Sequence, residues 1–348
     1  MRREVQLNIE RETVRLRKPL VSAHGTVRER ELVAVTLAAD EDGPTGHGEA
    51  APLEQYDSVS IERVSGALER YKRVLAGAKG QTGIQLIEAC RREEDLPQAL
   101  AAIDMALWDR AGRRANKPIA ELLTDDPARA VSVNATIGAT DRVGAAEQAQ
   151  AASQAGYECI KVKVGIGDDA ARVAAVRAAA GAEIALRLDA NGAWTVEGAV
   201  RAIEALAPAG LELVEEPTHG LHAIREVRER VSTRIAIDET ATEHGALGAG
   251  VADAVCLKIG RCGGISGLLA AATLVRASGA EPYVASTLDG PLGVAAALHA
   301  VAALASRGPV PPCGLATFGM FEDIEDQLPV HKGRIALPSG PGLGVRPL

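Results

Sequence analysis

Up to about residue 50 the chain alternates apolar and polar side chains. Val5, Leu7 and Ile9, and again Val33, Val35 and Leu37, put an apolar residue at every second position, the period of a half-buried strand. Asp40-Glu41-Asp42-Gly43 predicts a turn before Thr45-Gly46-His47-Gly48-Glu49, so the opening reads as antiparallel sheet with one solvated face. From about Val59 to Leu122 the period becomes helical. Residues 99–113 are the clearest case, with Ile103, Ala106, Leu107 and Arg110 at helical spacings. Strands followed by helices predict an α+β module over residues 1–125.

After Val131 short apolar runs alternate with amphipathic helices rich in Ala and Arg. The runs are 131–133, 159–164, 184–188, 211–214, 234–237, 254–259 and 281–285. Repeated βα units without hairpin signals predict a parallel sheet, and this number within residues 126–317 fits a closed barrel better than an open sheet. A doubly wound sheet would carry a Gly-rich phosphate turn after its first strand. The chain has no G-x-G-x-x-G, and Gly165-Ile166-Gly167 runs into Asp168-Asp169, which would repel a pyrophosphate. Residues 318–348, rich in Gly, Pro and charge, are expected to return to the first module as an extended tail.

Composition narrows the reading. With 348 residues, 47% of them hydrophobic, the chain can bury a large core, and with 2% aromatics that core must be aliphatic. Charges of both signs are interspersed and the net charge is -8, which disfavours nucleic acid or an anionic membrane as partner. Five scattered cysteines (Cys90, Cys159, Cys256, Cys262, Cys313) form no C-x-x-C pair, and read as reduced core residues of a cytoplasmic protein. No signal peptide is read at the N-terminus, and the apolar run 294–305 is too short to span a bilayer.

The candidate chemistry lies where the predicted barrel strands end. Lys161 and Lys163 close one run, Asp189 the next, then Glu215, Asp238 and Lys258. Lys163 to Asp189 and Asp189 to Glu215 are each 26 residues; the next two intervals are 23 and 20. One charge per βα repeat, at one end of successive strands, places the set on the functional face of a barrel. Three converging carboxylates suit a hard dication. Mg2+ fits because it keeps positions open for water and substrate, with Mn2+ the alternative. The strand ends lack His and Cys, which argues against zinc. Lys161 and Lys163, two apart, point to one face. Two close, partly desolvated ammonium groups predict a lowered pKa for one of them, as a base requires. Taken singly, a K-x-K is usually a solvated pair and a strand-end Asp is often a helix cap. Together they would leave several charges buried without partners unless they act as a site.

With these residues, Gly46-His47-Gly48-Glu49-Ala50-Ala51-Pro52-Leu53 and Ala102-Ile103-Asp104-Met105-Ala106-Leu107-Trp108-Asp109, the chain resembles the enolase superfamily, in its muconate-lactonizing subgroup, over nearly its whole length. The resemblance implies an α/β fold: a (β/α)7β TIM-like barrel with an N-terminal α+β capping domain completed by the C-terminal tail. It implies that Asp189, Glu215 and Asp238 hold Mg2+ and that Lys163 and Lys258 face the two sides of a small-molecule carboxylate. Lys161 would tune Lys163. Abstraction of an α-proton to give a metal-stabilised enediolate is the general chemistry of such sites and is carried over with the resemblance. Val133-Asn134-Ala135-Thr136, residues 285–293 and residues 313–317 look most like o-succinylbenzoate synthase. That likeness implies dehydration of a cyclohexadiene carboxylate in menaquinone biosynthesis. Lys163 would take the proton and help the hydroxyl leave, while Lys258 stays protonated. The alternatives on the same scaffold are a racemase or epimerase of N-acylamino acids or dipeptides, and a muconate cycloisomerase-type lactonization. Dipeptide epimerases usually carry an Asp-x-Asp pair after the last barrel strand, and residues 317–324 have none.

Further pocket candidates are Arg187 and Asn191, which flank Asp189 on its face, His24 in the loop Ser22-Ala23-His24-Gly25-Thr26, and Ser286 and Thr287 after the seventh run. Arg187 and Asn191 could instead orient the ligands, His24 could form only the rim, and Ser286 and Thr287 could cap a helix. His299 reads as packing. Gly263-Gly264 reads as a tight turn or an anion seat. A Schiff-base aldolase and a non-catalytic binding barrel are the competing classes. A homo-oligomer is compatible with this reading.

Overall fold

The computed structural model describes residues 5–22, 25–38, 43–78, 80–138 and 140–348. The opening alternation becomes an antiparallel sheet. β1 (Gln6–Ser22) pairs with β2 (Gly25–Ala38) in the register Leu7↔Leu37 and Ile9↔Val35, and β3 (Gly46–Ala50) adds to β2. Its apolar face, including Leu7, Val33, Val35 and Leu37, is buried against the helices that follow. These are α1 (Glu54–Asp57), α2 (Ile61–Ala76), α3 (Gly83–Glu93), α4 (Pro97–Ala115) and α5 (Ile119–Leu123). Local chemistry sets their starts. The Ser60 side chain accepts from Arg63 N, Thr82 and Gln85 form a capping box, and Pro97 opens α4. The helix α4 lies so close to β3 that a Cβ on Gly48 would sit 2.0 Å from the Ala102 carbonyl oxygen. The glycines around His47 therefore serve packing.

The barrel follows. Seven parallel strands form one sheet in the order in which the chain makes them: β5 (Ala135–Ile137), β6 (Cys159–Lys163), β7 (Ala185–Asp189), β8 (Leu211–Glu215), β9 (Ile235–Ile237), β10 (Ala254–Leu257) and β11 (Glu281–Val284). Cys313 and Gly314 close it. Cys313 bridges to Val133 and Gly314 to Ala285, both parallel, so the ring has an eighth position without a full strand. Helices α6 (Arg142–Gln154), α7 (Asp169–Ala180), α8 (Val196–Leu206), α9 (Leu221–Arg230), α10 (Ile265–Ala277) and α11 (Pro291–Ala305) surround it. This is a TIM-like barrel under an α+β cap, the architecture read from the pattern.

Two expectations change. The run 131–133 is not a barrel strand in its main part: β4 (Ala130–Ser132) pairs antiparallel with β13 (Arg334–Ala336) of the tail, which also pairs with β12 (Val330–His331). The tail touches the cap first, where Phe318 and Phe321 pack with Val14, Leu16 and Val27 and Glu322 N donates to Arg15 O. It then pairs with β4 and returns to the first module, where Ile119 N donates to Gly342 O and Leu343 N to Asp109 Oδ1. Between β9 and β10 two 3-10 turns (Glu239–Thr242, Ala246–Gly248) replace the helix, which accounts for the short interval from Asp238 to Lys258.

All five cysteines are free, four of them buried. No helix among the described residues is long and apolar enough to cross a membrane.

His299 on α11 is fully buried. Its Nδ1 accepts from Ala120 N at 3.3 Å and its Nε2 faces Leu343 O at 3.2 Å. Protonation would turn Nδ1 into a donor aimed at a donor, and burial lowers the ring from 6.5 to about 4. The folded state thus refuses a proton that the unfolded chain takes below pH 6.5. The stability this contributes is complete above that pH and falls as pH drops toward 4, by about 3 kcal/mol. In His299→Gln, acid unfolding should begin at a lower pH than in the parent; an identical onset would refute this role.

Candidate active site

Strand register brings the charges together. Parallel pairing sets Lys163 beside Asp189 and Asp189 beside Glu215. Asp238 and Lys258 each lie one residue past the ends of β9 and β10. Asp189, Glu215 and Asp238 are at most 2% exposed. The amines are interleaved with them. Lys161 Nζ lies 2.8 Å from Asp189 Oδ2 and 2.7 Å from Glu215 Oε1. Lys163 Nζ lies 2.6 Å from the same Asp189 oxygen and 2.7 Å from Asn191 Oδ1. Lys258 Nζ lies 3.1 Å from Asp238 Oδ2.

Each carboxylate is also held by a second donor, at Asp238 on the oxygen that Lys258 faces. Asn191 N donates to Asp189 Oδ1 at 2.9 Å and Tyr283 Oη donates to Glu215 Oε2 at 2.6 Å. Tyr56 Oη, from the cap, donates to Asp238 Oδ2. Tyr56 is itself covered by Arg261, whose guanidinium lies 4.0 Å from the ring centre and pairs with Asp57 at 2.7 Å. The neighbouring Glu216 takes no part in the cluster. It accepts from Asp238 N at 2.8 Å and Thr240 N at 2.9 Å, fixing the exit of β9.

The expected lowering of one lysine pKa fails at Lys161. Burial acts in that direction, but Asp189 and Glu215 outweigh it and push Lys161 well above its ordinary value. Burial pulls Lys258 down, but Asp238 and Cys256 together raise it. Burial, with Asp189 and Asp238 close by, raises Glu215, whereas Lys258 and Arg261 overcome burial and hold Asp238 low. At Lys161 the acids on neighbouring strands decide the sign.

Arg187, expected in the pocket, lies below it. A β-bulge shifts the β7–β8 register between Leu186 and Arg187, leaving Glu212 as the extra residue. Arg187 Nε donates to Glu212 Oε2 at 2.7 Å and Nη1 to Pro312 O at 2.7 Å, while its guanidinium lies 5.1 Å from the centre of the Tyr283 ring. It supports Tyr283, which holds Glu215. Asn191 does line the cavity, bridging Lys163 to Glu239 Oε1 (2.9 Å). Ser286 and Thr287 line it as well, but their hydroxyls bond Asp289: Ser286 Oγ accepts from its N and Thr287 Oγ1 donates to its Oδ1. His24 lies outside the described residues.

Sequence reasoning missed Tyr56, Tyr283 and Cys256. Tyr283 shares the inward parity of Ala285 and was findable by register. Tyr56 arrives from the cap, and no barrel period announces it. The Cys256 thiol has Sγ within 4.8 Å of oxygens of Glu215 and Asp238, so the ends are not free of Cys. Burial and the Asp238 carboxylate push this thiol up, leaving it protonated and a poor ligand at neutral pH. Glu215 and Asp238 have oxygens within 4.8 Å of each other, while Lys161 lies between Glu215 and Asp189; three buried carboxylates of this kind would suit Mg2+. When bound there, the ion would supply positive charge beside a substrate carboxylate.

Tyr283→Phe should weaken Mg2+ binding about tenfold by calorimetry, because Glu215 loses its orienting donor. An unchanged affinity would show that Glu215 is oriented without it.

Known proteins share this fold. The chain matches the family models "Mandelate racemase / muconate lactonizing enzyme, N-terminal domain" over residues 4–124 and "Enolase C-terminal domain-like" over residues 144–348. It is 30% identical to the hydrophobic dipeptide epimerase of Enterococcus faecalis, with 86% of each chain covered. It is 31% identical to muconate cycloisomerase 1 of Rhodococcus opacus, covering 96% of this chain and 94% of the relative. Among solved structures, the dipeptide epimerase of Enterococcus faecalis V583, complexed with Mg and the dipeptide L-Leu-L-Tyr, superposes with a TM-score of 0.90 at 28% identity over 99% of both chains. Fold, buried acid–amine cluster and relatives agree: the chain is a Mg2+-dependent enzyme of the enolase superfamily and belongs to its mandelate racemase/muconate lactonizing enzyme family.

Proposed function

We propose that this enzyme is an isomerase that moves the α-proton of a carboxylate substrate between opposite faces, a racemase or epimerase of N-acylamino acids or dipeptides. The observation that carries this reading is the placement of Lys163 and Lys258. Lys163 ends β6 and Lys258 follows β10, with three strands between them, and both line one cavity. In one direction the Lys163 amine takes the α-proton; the C–H pair passes into the carboxylate as an enediolate; the Lys258 ammonium returns a proton to the opposite face. The other enantiomer reverses the roles. Asp189, Glu215 and Asp238 hold Mg2+. Lys161, wedged between two of them, fixes their spacing and adds positive charge beside the bound carboxylate. Dehydration, expected from the likeness to o-succinylbenzoate synthase, shares the first proton transfer but needs only one face. The two relatives at 30% and 31% identity are an epimerase and a cycloisomerase, which supports isomerisation.

The test is proton exchange in D2O, followed by NMR, on N-acylamino acids and dipeptides of both configurations, with and without EDTA. The cyclohexadiene carboxylate substrate of the synthase and cis,cis-muconate run alongside. Mg2+-dependent deuterium incorporation with inversion is expected. Loss of water or lactonization without inversion of any amino acid derivative would replace this reading.

A further inference from the structure

We infer that the barrel offers a second metal-binding mode, in which a thiophilic dication such as Zn2+ or Cd2+ is held by Cys256, Glu215 and Asp238 and excludes Mg2+. The exclusion rests on the assignment of Mg2+ to Asp189, Glu215 and Asp238; the thiol site stands on its own geometry. One carboxylate oxygen of Glu215, one of Asp238 and Cys256 Sγ all lie within 4.8 Å of one another, the one such group of acid, histidine or cysteine donors among the described residues. Asp189 is held apart from it, because Lys161 Nζ stands between Asp189 and Glu215. Ligands at about 2.0–2.3 Å from a tetrahedral ion stand about 3.5 Å apart, so these three need to close by only about 1 Å.

The strand explains the aim of the thiol. Cys256 lies two residues before Lys258, on the same face, and pairs with Tyr283 of β11. It is 2% exposed, with Leu213, Ala236 and Ala254 around it. The buried thiols of Cys159 and Cys313 donate to oxygens of Glu212 and Pro311. Cys256 makes no hydrogen bond among the described residues, and its sulfur is left facing two carboxylates. A hard ion leaves such a thiol unused. A soft ion exchanges the S–H bond for an S–metal bond and releases the proton to water. Entry does not require the substrate cavity. Cys256, Asp238 and Lys258 line a separate cleft of 960 Å3 between α1 and the turns after β9, where five carboxylates against three cationic side chains favour a cation.

The test is a titration of the metal-free full-length protein with Cd2+, read by the sulfur-to-metal charge-transfer absorption in the ultraviolet, with and without excess Mg2+. One Cd2+ per chain should bring up the band, and Mg2+ should suppress it. Cys256→Ser should lose the band and bind Cd2+ about 100-fold more weakly, with Mg2+ affinity within about threefold of the parent. Cys256→Ala, which adds no buried hydroxyl, should do the same. The other four cysteines remain in both variants, so a band that persists in them at parental strength would overturn the inference, as would a parent without a band. A band that excess Mg2+ leaves untouched would overturn the exclusion. Asp189→Asn separates the two assignments: it should weaken Mg2+ binding and spare the Cd2+ band. Unchanged Mg2+ affinity in that variant, with the band intact, would strike the Mg2+ assignment and not the thiol site.

Discussion

Lys163→Ala should lower racemisation by about a thousandfold or more, while Mg2+ affinity stays within about threefold of the parent or rises. The amine lies 2.6 Å from Asp189 and 2.7 Å from Asn191 on the cavity wall. Its loss removes one face of the proton relay. It also removes a cation that shares an Asp189 oxygen with Lys161, so the acids lose nothing they need to hold a dication. Lys258 remains, and with it exchange from one face only. One enantiomer should therefore still incorporate deuterium slowly without inverting, and the other should not exchange. Lys258→Ala should show the opposite preference. Exchange of both enantiomers at parental rates in either variant would refute the assignment of one lysine to each face.

Asp238→Asn should lower Mg2+ affinity about 100-fold or more and abolish turnover at ordinary Mg2+ concentrations. It should also destabilise the protein before any metal is added, by about 3 kcal/mol or more. Asp238 is the carboxylate that Lys258 faces at 3.1 Å and Arg261 at 3.4 Å, and Tyr56 donates to it. Lys258 is 6% exposed. An amide leaves its ammonium buried without a counter-charge, whereas Arg261 keeps Asp57. Thermal melting of the metal-free variant and calorimetry with Mg2+ read the two effects separately. A variant that melts with the parent and binds Mg2+ equally well would remove Asp238 from both roles.

The readable part of this molecule is what strand periodicity carries. Lys161 and Lys163 share a face because they are two apart, and Asp189 and Glu215 line up with Lys163 across neighbouring strands. The barrel and its functional end follow from that arithmetic. Properties set by contacts across elements were not legible. The bulge that turns Glu212 inward draws Arg187 under the site and away from the pocket. Nothing in residues 238–258 announces that turns replace a helix. The run 131–133 looks like any barrel strand until the tail claims it through Ile335↔Val131. The sign of the Lys161 shift depends on two acids supplied by other strands, and Tyr56 reaches Asp238 across 182 positions of sequence. Even the glycines beside His47, legible as a motif, acquire a reason only when α4 lies against them.

A crystal structure with Mg2+ and a bound N-acyl-leucine tests the central claim most directly. The account predicts one ion with oxygens of Asp189, Glu215 and Asp238 at about 2.0–2.1 Å, and Lys163 and Lys258 Nζ on opposite sides of the substrate α-carbon. An ion bound elsewhere, or both amines on one side of that carbon, would contradict it.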